Sequence, residues 1–244
     1  MGKISACILT KNEEKNIGRC LQNIAPYVDE IVIVDGFSED KTVEIARKYT
    51  DKIYQKEFSG SFAVERNYGI EKASNEWVFI VDADELPTKE LMEKIEEKIK
   101  NSRCNGYAII RKDITPDGKV VEYDYPRIPI RIARKNKIRF YGRVHEIPIV
   151  KGRRGFISEI LYHYKDEKYS KEKEERFEKL AEKDKITHKT LNVRKNLFIN
   201  SIKNIILYFF AMYIGMNYNL TKSIKLTFLY VSDGFKKLKR RGKI

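Results

Sequence analysis

The sequence predicts an α/β domain whose principal strands run parallel, and three observations carry that reading. Short apolar runs alternate with stretches of helical spacing, the pattern of right-handed βαβ crossovers. The runs are rich in β-branched and aromatic residues and lack a clear period of two, as strands buried on both faces require. Each principal run ends in a polar loop, most abruptly at Asp82-Ala83-Asp84-Glu85 after Trp77–Val81.

Ile4–Leu9 reads as the first strand and stops at Thr10-Lys11-Asn12-Glu13-Glu14. Ile17, Leu21 and Ile24 then recur at helical spacing until Pro26 stops the helix. Glu30–Val34 is a second buried strand ending in Asp35-Gly36-Phe37-Ser38-Glu39-Asp40-Lys41-Thr42, and Val43–Tyr49 continues as a helix. Ile53-Tyr54 makes a short third strand, and Phe62–Ala73 makes a helix carrying Arg66 and Asn67. Trp77–Val81 closes the series. Thr88–Lys100 is amphipathic, with Leu91, Ile95 and Ile99 on its inner stripe. Gly106–Ile110 restarts a strand, and Thr115-Pro116-Asp117-Gly118-Lys119 is the turn of a hairpin completed by Val120–Tyr123. Pro126–Ala133 and Lys137–Val150 add strands, so this second half is antiparallel or mixed.

At 244 residues, 42% hydrophobic and 11% aromatic, the chain can bury a real core, which excludes wholesale disorder. A net charge of +14 calls for an anionic partner: a phosphorylated substrate, a membrane surface or nucleic acid. Cys7, Cys20 and Cys104 have no CxxC spacing and fit reduced, structural thiols in a cytoplasmic protein. No secretory signal opens the chain, because Lys11, Glu13, Glu14 and Lys15 interrupt the first apolar segment.

Thr10–Glu13, Asp35–Asp40 and Asp82–Glu85 all follow the carboxyl ends of strands, where open α/β sheets bind ligands. Three such loops converging on one edge favour a nucleotide site. Neither GxGxxG nor GxxxxGK[ST] follows the first strand, so glycine-rich backbone does not cradle phosphate here. Asp82 and Asp84, alternate residues of an extended chain, can turn toward one divalent ion, and Mn²⁺ or Mg²⁺ suits carboxylates plus phosphates. The competing reading of the same residues is a solvated acidic turn that caps the next helix.

Ile8–Glu13, Val34–Thr42 and Val81–Glu85 together resemble the GT-A glycosyltransferases of family 2. Phe58–Ala63, Arg66-Asn67 and Gly142-Arg143-Val144-His145-Glu146 narrow the resemblance to a small branch that includes lipopolysaccharide-core glucosyltransferases. It covers about residues 3 to 165 and implies a Rossmann-like mixed sheet with helices on both faces. The activity implied is metal-dependent, inverting transfer of a hexose from a nucleotide-diphosphate sugar to an acceptor hydroxyl, in lipopolysaccharide, cell-surface polysaccharide or glycolipid synthesis. By the same resemblance Thr10, Asn12, Glu13 and Asp35 hold base and ribose, and Arg66 lies near the nucleotide or its phosphates. Asp82 serves ribose and metal, Asp84 the metal, with Ala83 between them in the donor site. The run Gly36–Thr42 departs from the family's Ser-Gly-Ser-Thr-Asp-Gly-Thr, which leaves the base open. Gln-x-x-Arg-Trp is absent, since Trp77 is the only tryptophan, which argues for a single addition and against polymerisation.

His145-Glu146 is the pair assigned the acid–base step, with Glu146 taking the acceptor proton and His145 orienting it or ligating the metal. In a strand the two side chains diverge, so both enter one site only at a bulge or strand end. His163 is a second metal-ligand candidate against the reading of a packed histidine. Among Arg127, Arg131, Arg134, Arg139, Arg143, Arg153 and Arg154, Arg131 and Arg143 are singled out to clamp phosphate.

Residues 166–244 read as a helical extension. Asp166–Lys189 is densely charged, and Ile205–Met216 is strongly apolar. As a helix the latter would rise about 18 Å, short of the roughly 30 Å of bilayer hydrocarbon. Lys236–Lys243 adds a polybasic tail. An apolar helical face with such a tail fits peripheral docking on anionic lipid at the inner face of the cytoplasmic membrane, suited to a glycan or lipid-linked acceptor. It equally fits a helical cap on the core. Two other functions compete: a nucleotidyltransferase, sharing the sheet and acidic site, and a nucleic-acid-binding module. The basic charge is spread over several elements, so nucleic acid is not the expected partner.

Overall fold

The computed structural model describes residues 2–115, 117–121, 128–144 and 146–164. Its main sheet has eight strands, built from β1 (Ile4–Thr10), β2 (Glu30–Asp35), β3 (Ile53–Gln55), β4 (Trp77–Ile80), β5 (Glu85–Pro87), β6 (Gly106–Ile114), β7 (Ile130–Arg134) and β10 (Arg154–Tyr164). Their order is β3-β2-β1-β4-β7-β6-β10-β5. The first four in that order are parallel to one another, while β7 runs antiparallel to both β4 and β6. A separate two-stranded sheet pairs β8 (Ile138–Tyr141) with β9 (Ile147–Val150). The α/β class and the mixed second half therefore stand as the sequence indicates.

Helices α1 (Ile17–Ile24), α2 (Thr42–Ala46), α3 (Phe62–Lys72) and α4 (Lys89–Lys100) cover both faces. Alternation along each central strand divides the core in two. Ile4, Ala6, Ile8, Ile31, Ile33, Trp77 and Phe79 pack with α1 and α4. Cys7, Val32, Val78 and Ile80 face the other way, with Ala63 and Ile70 of α3 and with Ile138, Phe140 and Val150 of the small sheet. Burial on both faces explains why these strands read as unbroken apolar runs.

Local chemistry sets the helix ends. Ser61 caps α3 by accepting from Val64 N, and Thr88 caps α4 by accepting from Leu91 N at 3.2 Å. Pro26 does not end the first helical stretch outright; it opens a 3₁₀ turn, Ala25–Tyr27, that extends it. α2 stops at Ala46, short of the expected Tyr49. Thr115 N donates to Lys119 O at 2.9 Å and an antiparallel bridge joins Ile114 to Val120, while Pro116 and the end of the expected hairpin at Tyr123 lie outside the described residues.

Two strands escape the sequence pattern. β5 is a three-residue edge strand inside what reads as an acidic turn. β10, eleven residues long, carries Ser158 and Glu159 at a register shift against β6 between Ile157 and Ile160. That irregularity breaks the period of two that would announce it. Lys137–Val150 is strand-forming as expected, but it folds on itself as β8–β9. His145, Arg127 and the assignments over residues 166–244, including the lipid-docking helix and the extension itself, lie outside the described residues. Among the described residues no helix is long and apolar enough to cross a membrane.

Phe79 lies wholly buried on a central strand. Phe79→Ala is expected to lower the unfolding free energy by about 3–5 kcal/mol, read from urea denaturation, whereas a loss below about 1 kcal/mol would show that the core collapses around the gap.

Candidate active site

The carboxyl ends of β1, β2 and β4 share one edge of the sheet, and the loops that leave them are tied together. Thr10 and Asp35 are register partners, and Thr10 Oγ1 donates to Asp35 Oδ1 at 2.9 Å. Asp35 is fully buried and also accepts from Ser38 N at 2.9 Å, Ser38 Oγ and Gln55 Nε2. Asn12, at φ 55°, accepts from Glu39 N and receives Ser38 Oγ on its own N–H, both at 2.9 Å. Glu13 accepts from Asn16 Nδ2 at 2.8 Å, and its N–H donates to Thr42 Oγ1 at 2.7 Å. Thr10, Asn12, Glu13 and Asp35 thus gather in one framework, with Asp35 as its buried centre. Phe37, at φ 58°, projects from this framework half exposed, and Lys11 Nζ donates to its carbonyl.

β4 ends in a tight turn, where Glu85 N donates to Asp82 O at 2.9 Å. The turn separates the two aspartates, which do not share one side as an extended chain would have them. Asp82 lies between two buried arginines. Arg66 Nη2 of α3 donates to its Oδ1 at 2.7 Å, and Arg131 Nη2 of β7 donates to its Oδ2 at 3.0 Å. The Ala83 methyl packs into the core, so only backbone there can meet a ligand. Asp84 instead faces His163 of β10, its Oδ2 standing 3.2 Å from Nε2.

The remaining charges close a network around this turn. Arg66 Nε donates to Glu146 Oε1 at 2.5 Å. Arg131 Nη2 also donates to Glu85 Oε1, which lies 3.3 Å from Arg111 Nε, while Glu85 Oε2 accepts from Asp82 N at 2.9 Å. His163 Nδ1 stands 3.1 Å from Asp113 Oδ1. Asn67 brings β8 to α3, donating to Phe140 O and accepting from Phe140 N at 2.9 Å each, so the chain leading to Glu146 meets Arg66. Ser61 Oγ donates to Gly142 O at 2.9 Å and anchors the same segment.

Burial opposes every charge here, and the partners decide the outcome. Burial alone would raise the Asp82 carboxyl, yet Arg66, then Arg131 and Arg111, outweigh it and hold it well below the usual carboxylate range. Burial would likewise lower Arg66 and Arg131, but Asp82 with Glu146 and Glu85 with Asp82 keep each firmly charged. Burial dominates at Glu85 and, with the charge of Asp82, pushes it up to about 7 against the two arginines. At His163 burial lowers and the Asp84 carboxylate raises, and the net direction is upward. Cys7 is pushed up to about 12 by burial and Cys20 well above its ordinary value, which disqualifies both as nucleophiles.

Sequence reasoning therefore finds most members but not all of the wiring. Arg131, Arg66 and Glu146 meet around Asp82, and His163 joins Asp84. Glu85, Arg111 and Asp113 were not assigned roles. The signal available was their phase: Arg111 and Asp113 alternate around Lys112 at the end of an apolar strand, where a buried charge such as Asp113 needs a reason. Among the other basic residues, Arg134 stacks over Trp77 and pairs with Glu76. Among the described residues no three His, Cys, Asp or Glu side chains gather as a ready metal cage.

The family model described as Glycosyl transferase family 2 matches residues 5–195. The SPbeta prophage-derived glycosyltransferase SunS of Bacillus subtilis is 32% identical over 151 residues, 60% of this chain and 35% of that protein. An uncharacterized glycosyltransferase of Rickettsia felis is 38% identical over 96 residues, 39% of this chain and 34% of its own length. The chain thus spans about a third of these relatives. In three dimensions it shares its fold with S. aureus TarS 1-349 in complex with UDP, at a TM-score of 0.51 and 23% identity, over 67% of this chain and 61% of that one.

Arg131→Met leaves Glu85 and one oxygen of Asp82 without their buried cation, and is expected to lower stability by about 3–5 kcal/mol at neutral pH. The folded value of Asp82 lies below its unfolded one. Its ion pairs therefore contribute in full above the ordinary carboxylate range and fade as pH falls through the folded value. The gap between wild type and variant should narrow in acid, as denaturant titrations at neutral and acid pH will show. A gap that stays constant would assign the effect of Arg131 to packing.

Proposed function

Because this chain belongs to glycosyl transferase family 2, we propose that it transfers one sugar from a nucleotide-diphosphate donor to an acceptor hydroxyl, with inversion and without processivity. The observation that supports this best is the turn after β4, where Asp82, Asp84, Arg66, Arg131, Glu146 and His163 converge beside the Thr10 and Asp35 loops. The Thr10–Glu13 and Asp35–Ser38 framework receives base and ribose. Arg66 and Arg131 give the donor's diphosphate a cationic wall, and Arg66 Nη1 and Arg131 Nε find no hydrogen-bond partner among the described residues.

Among the described residues a divalent cation, Mn²⁺ or Mg²⁺, fits at Asp84 and His163. Both oxygens of Asp82 are engaged by arginines, whereas Asp84 Oδ2 and His163 Nε2 present two ligand atoms 3.2 Å apart. Asp84 and His163 would hold the ion, with donor phosphates and water completing its shell. When bound, such an ion neutralises the charge that develops on the departing diphosphate. Asp82 then keeps Arg66 and Arg131 aligned on the donor.

Glu146 takes the acceptor proton. As the acceptor oxygen bonds to the anomeric carbon and the bond to the diphosphate breaks, the hydroxyl proton passes to the carboxylate. Arg66 fixes Glu146 through Oε1, so Oε2 receives it. The acceptor is a glycan or lipid-linked hydroxyl of the cell envelope on this reading, which the +14 charge suits if that acceptor is anionic.

A panel of sugar nucleotides with Mn²⁺ or Mg²⁺ should raise the melting temperature, and Asp84→Ala or His163→Ala should abolish the metal-dependent part. No shift with any donor would overturn the assignment, and release of pyrophosphate from a triphosphate would point to nucleotidyl transfer instead. Glu146→Gln should lower kcat by roughly 10²–10⁴-fold while leaving the donor-induced shift in place, measured by product formation alongside thermal shift.

A further inference from the structure

We propose that Asp113, on β6, is the positioning residue that makes His163 a cation ligand, by accepting a hydrogen bond from Nδ1–H and so leaving the Nε2 lone pair on the side of Asp84. This rests on the reading of Asp84 and His163 as the cation's protein ligands. β6 and β10 run parallel with His163 in register with Asp113, and the antiparallel pairing of β10 with β5 sets His163 opposite Glu85. The ring is thereby held between strands, with Nδ1 3.1 Å from Asp113 Oδ1 and Nε2 3.2 Å from Asp84 Oδ2.

A neutral imidazole has one N–H and one lone pair, and the partner of the first nitrogen decides which face carries which. Asp113 is buried with Oδ1 facing Nδ1 of the ring, and Arg111 Nη2 lies 3.8 Å from the same oxygen. With the proton on Nδ1, Nε2 and the Asp84 oxygen become two acceptors at close range. A metal cation between them uses both, in the place of the Nε2 proton that a charged ring shares with Asp84. The carboxylate–imidazole–cation series that results is the general means by which proteins orient a histidine ligand. Asp113 touches neither donor nor acceptor, and it acts only through the ring. That role separates it from Asp82, which organises arginines, and from Asp84, which contacts the ion.

Nitrogen-correlated NMR of the metal-free protein at alkaline pH reads the tautomer of His163 directly. The proton on Nδ1 is expected, and a proton on Nε2 would overturn the proposal without any variant. Mn²⁺ binding, followed by electron paramagnetic resonance with and without each common nucleoside diphosphate, supplies the second readout. Asp113→Leu keeps the size but removes the acceptor, and is expected to weaken Mn²⁺ roughly 10–100-fold. Asp113→Asn keeps an acceptor without the charge and should recover part of that loss. If wild type binds Mn²⁺ and both variants bind equally well, Asp113 has no such role while the cation reading stands. If wild type binds no Mn²⁺ even with a nucleoside diphosphate present, the cation reading falls and this inference with it.

Discussion

Asp82 held between Arg66 and Arg131 is the interaction on which the rest of the site depends. A carboxylate at the end of a strand buried on both faces meets a large desolvation penalty, and only cations brought by other elements offset it. Those cations come from distant parts of the chain, 16 and 49 residues away in sequence. α3, β4 and β7 are therefore fixed at one point. Arg66 then reaches Glu146 ahead of β9, and Arg131 reaches Glu85 at the start of β5. Arg111 of β6 approaches the same Glu85. Such a network adds little net stability compared with an apolar core of the same shape, yet removing one member leaves its partners buried without their counter-charge. What the network fixes is geometry: carboxylates on other elements hold both guanidinium groups in single orientations.

The fold was legible because physics repeats itself along the central strands. Ile4–Thr10, Glu30–Asp35 and Trp77–Ile80 are apolar on both faces, and two helical layers are what they need for burial. β10 was not legible, since its bulge and Ser158-Glu159 interrupt the alternation on which strand recognition rests. The same blindness hid half of the site. Asp113 and His163 face one another only because β6 and β10 pair in parallel across some fifty intervening residues, a fact of topology with no local signature. Asp82, Asp84, Arg66 and Glu146 were visible through spacing and resemblance. Which of them touch was not, because contact is decided by register.

The turn at Ala83-Asp84 shows how far one hydrogen bond can redirect such a reading. Alternate residues of an extended strand share a side, and on that basis Asp82 and Asp84 belong to one ion. The bond from Glu85 N to Asp82 O folds the chain back after Ile80, so the two carboxylates diverge. Asp82 turns to the guanidinium groups of α3 and β7, and Asp84 turns to the ring of His163. Division of labour follows from the divergence. One aspartate is bound into the pair of arginines from α3 and β7, and the other is left facing an imidazole nitrogen on β10.

That division also accounts for the placement of Glu85. Its side chain is almost wholly buried beneath the turn, where Oε2 accepts from Asp82 N and Oε1 faces two arginines. Without it, Arg131 would have a single carboxylate to satisfy, and the guanidinium would be free to turn two of its three nitrogens to Asp82. Glu85 instead draws one nitrogen of Arg131 into a shared position between two acids. The third carboxylate of the motif, which reads as the start of a solvated cap, is the buried wedge that sets the angle of the arginine above it. The polar ending of the strand is thus three acids with three environments, and their separation is what the turn provides.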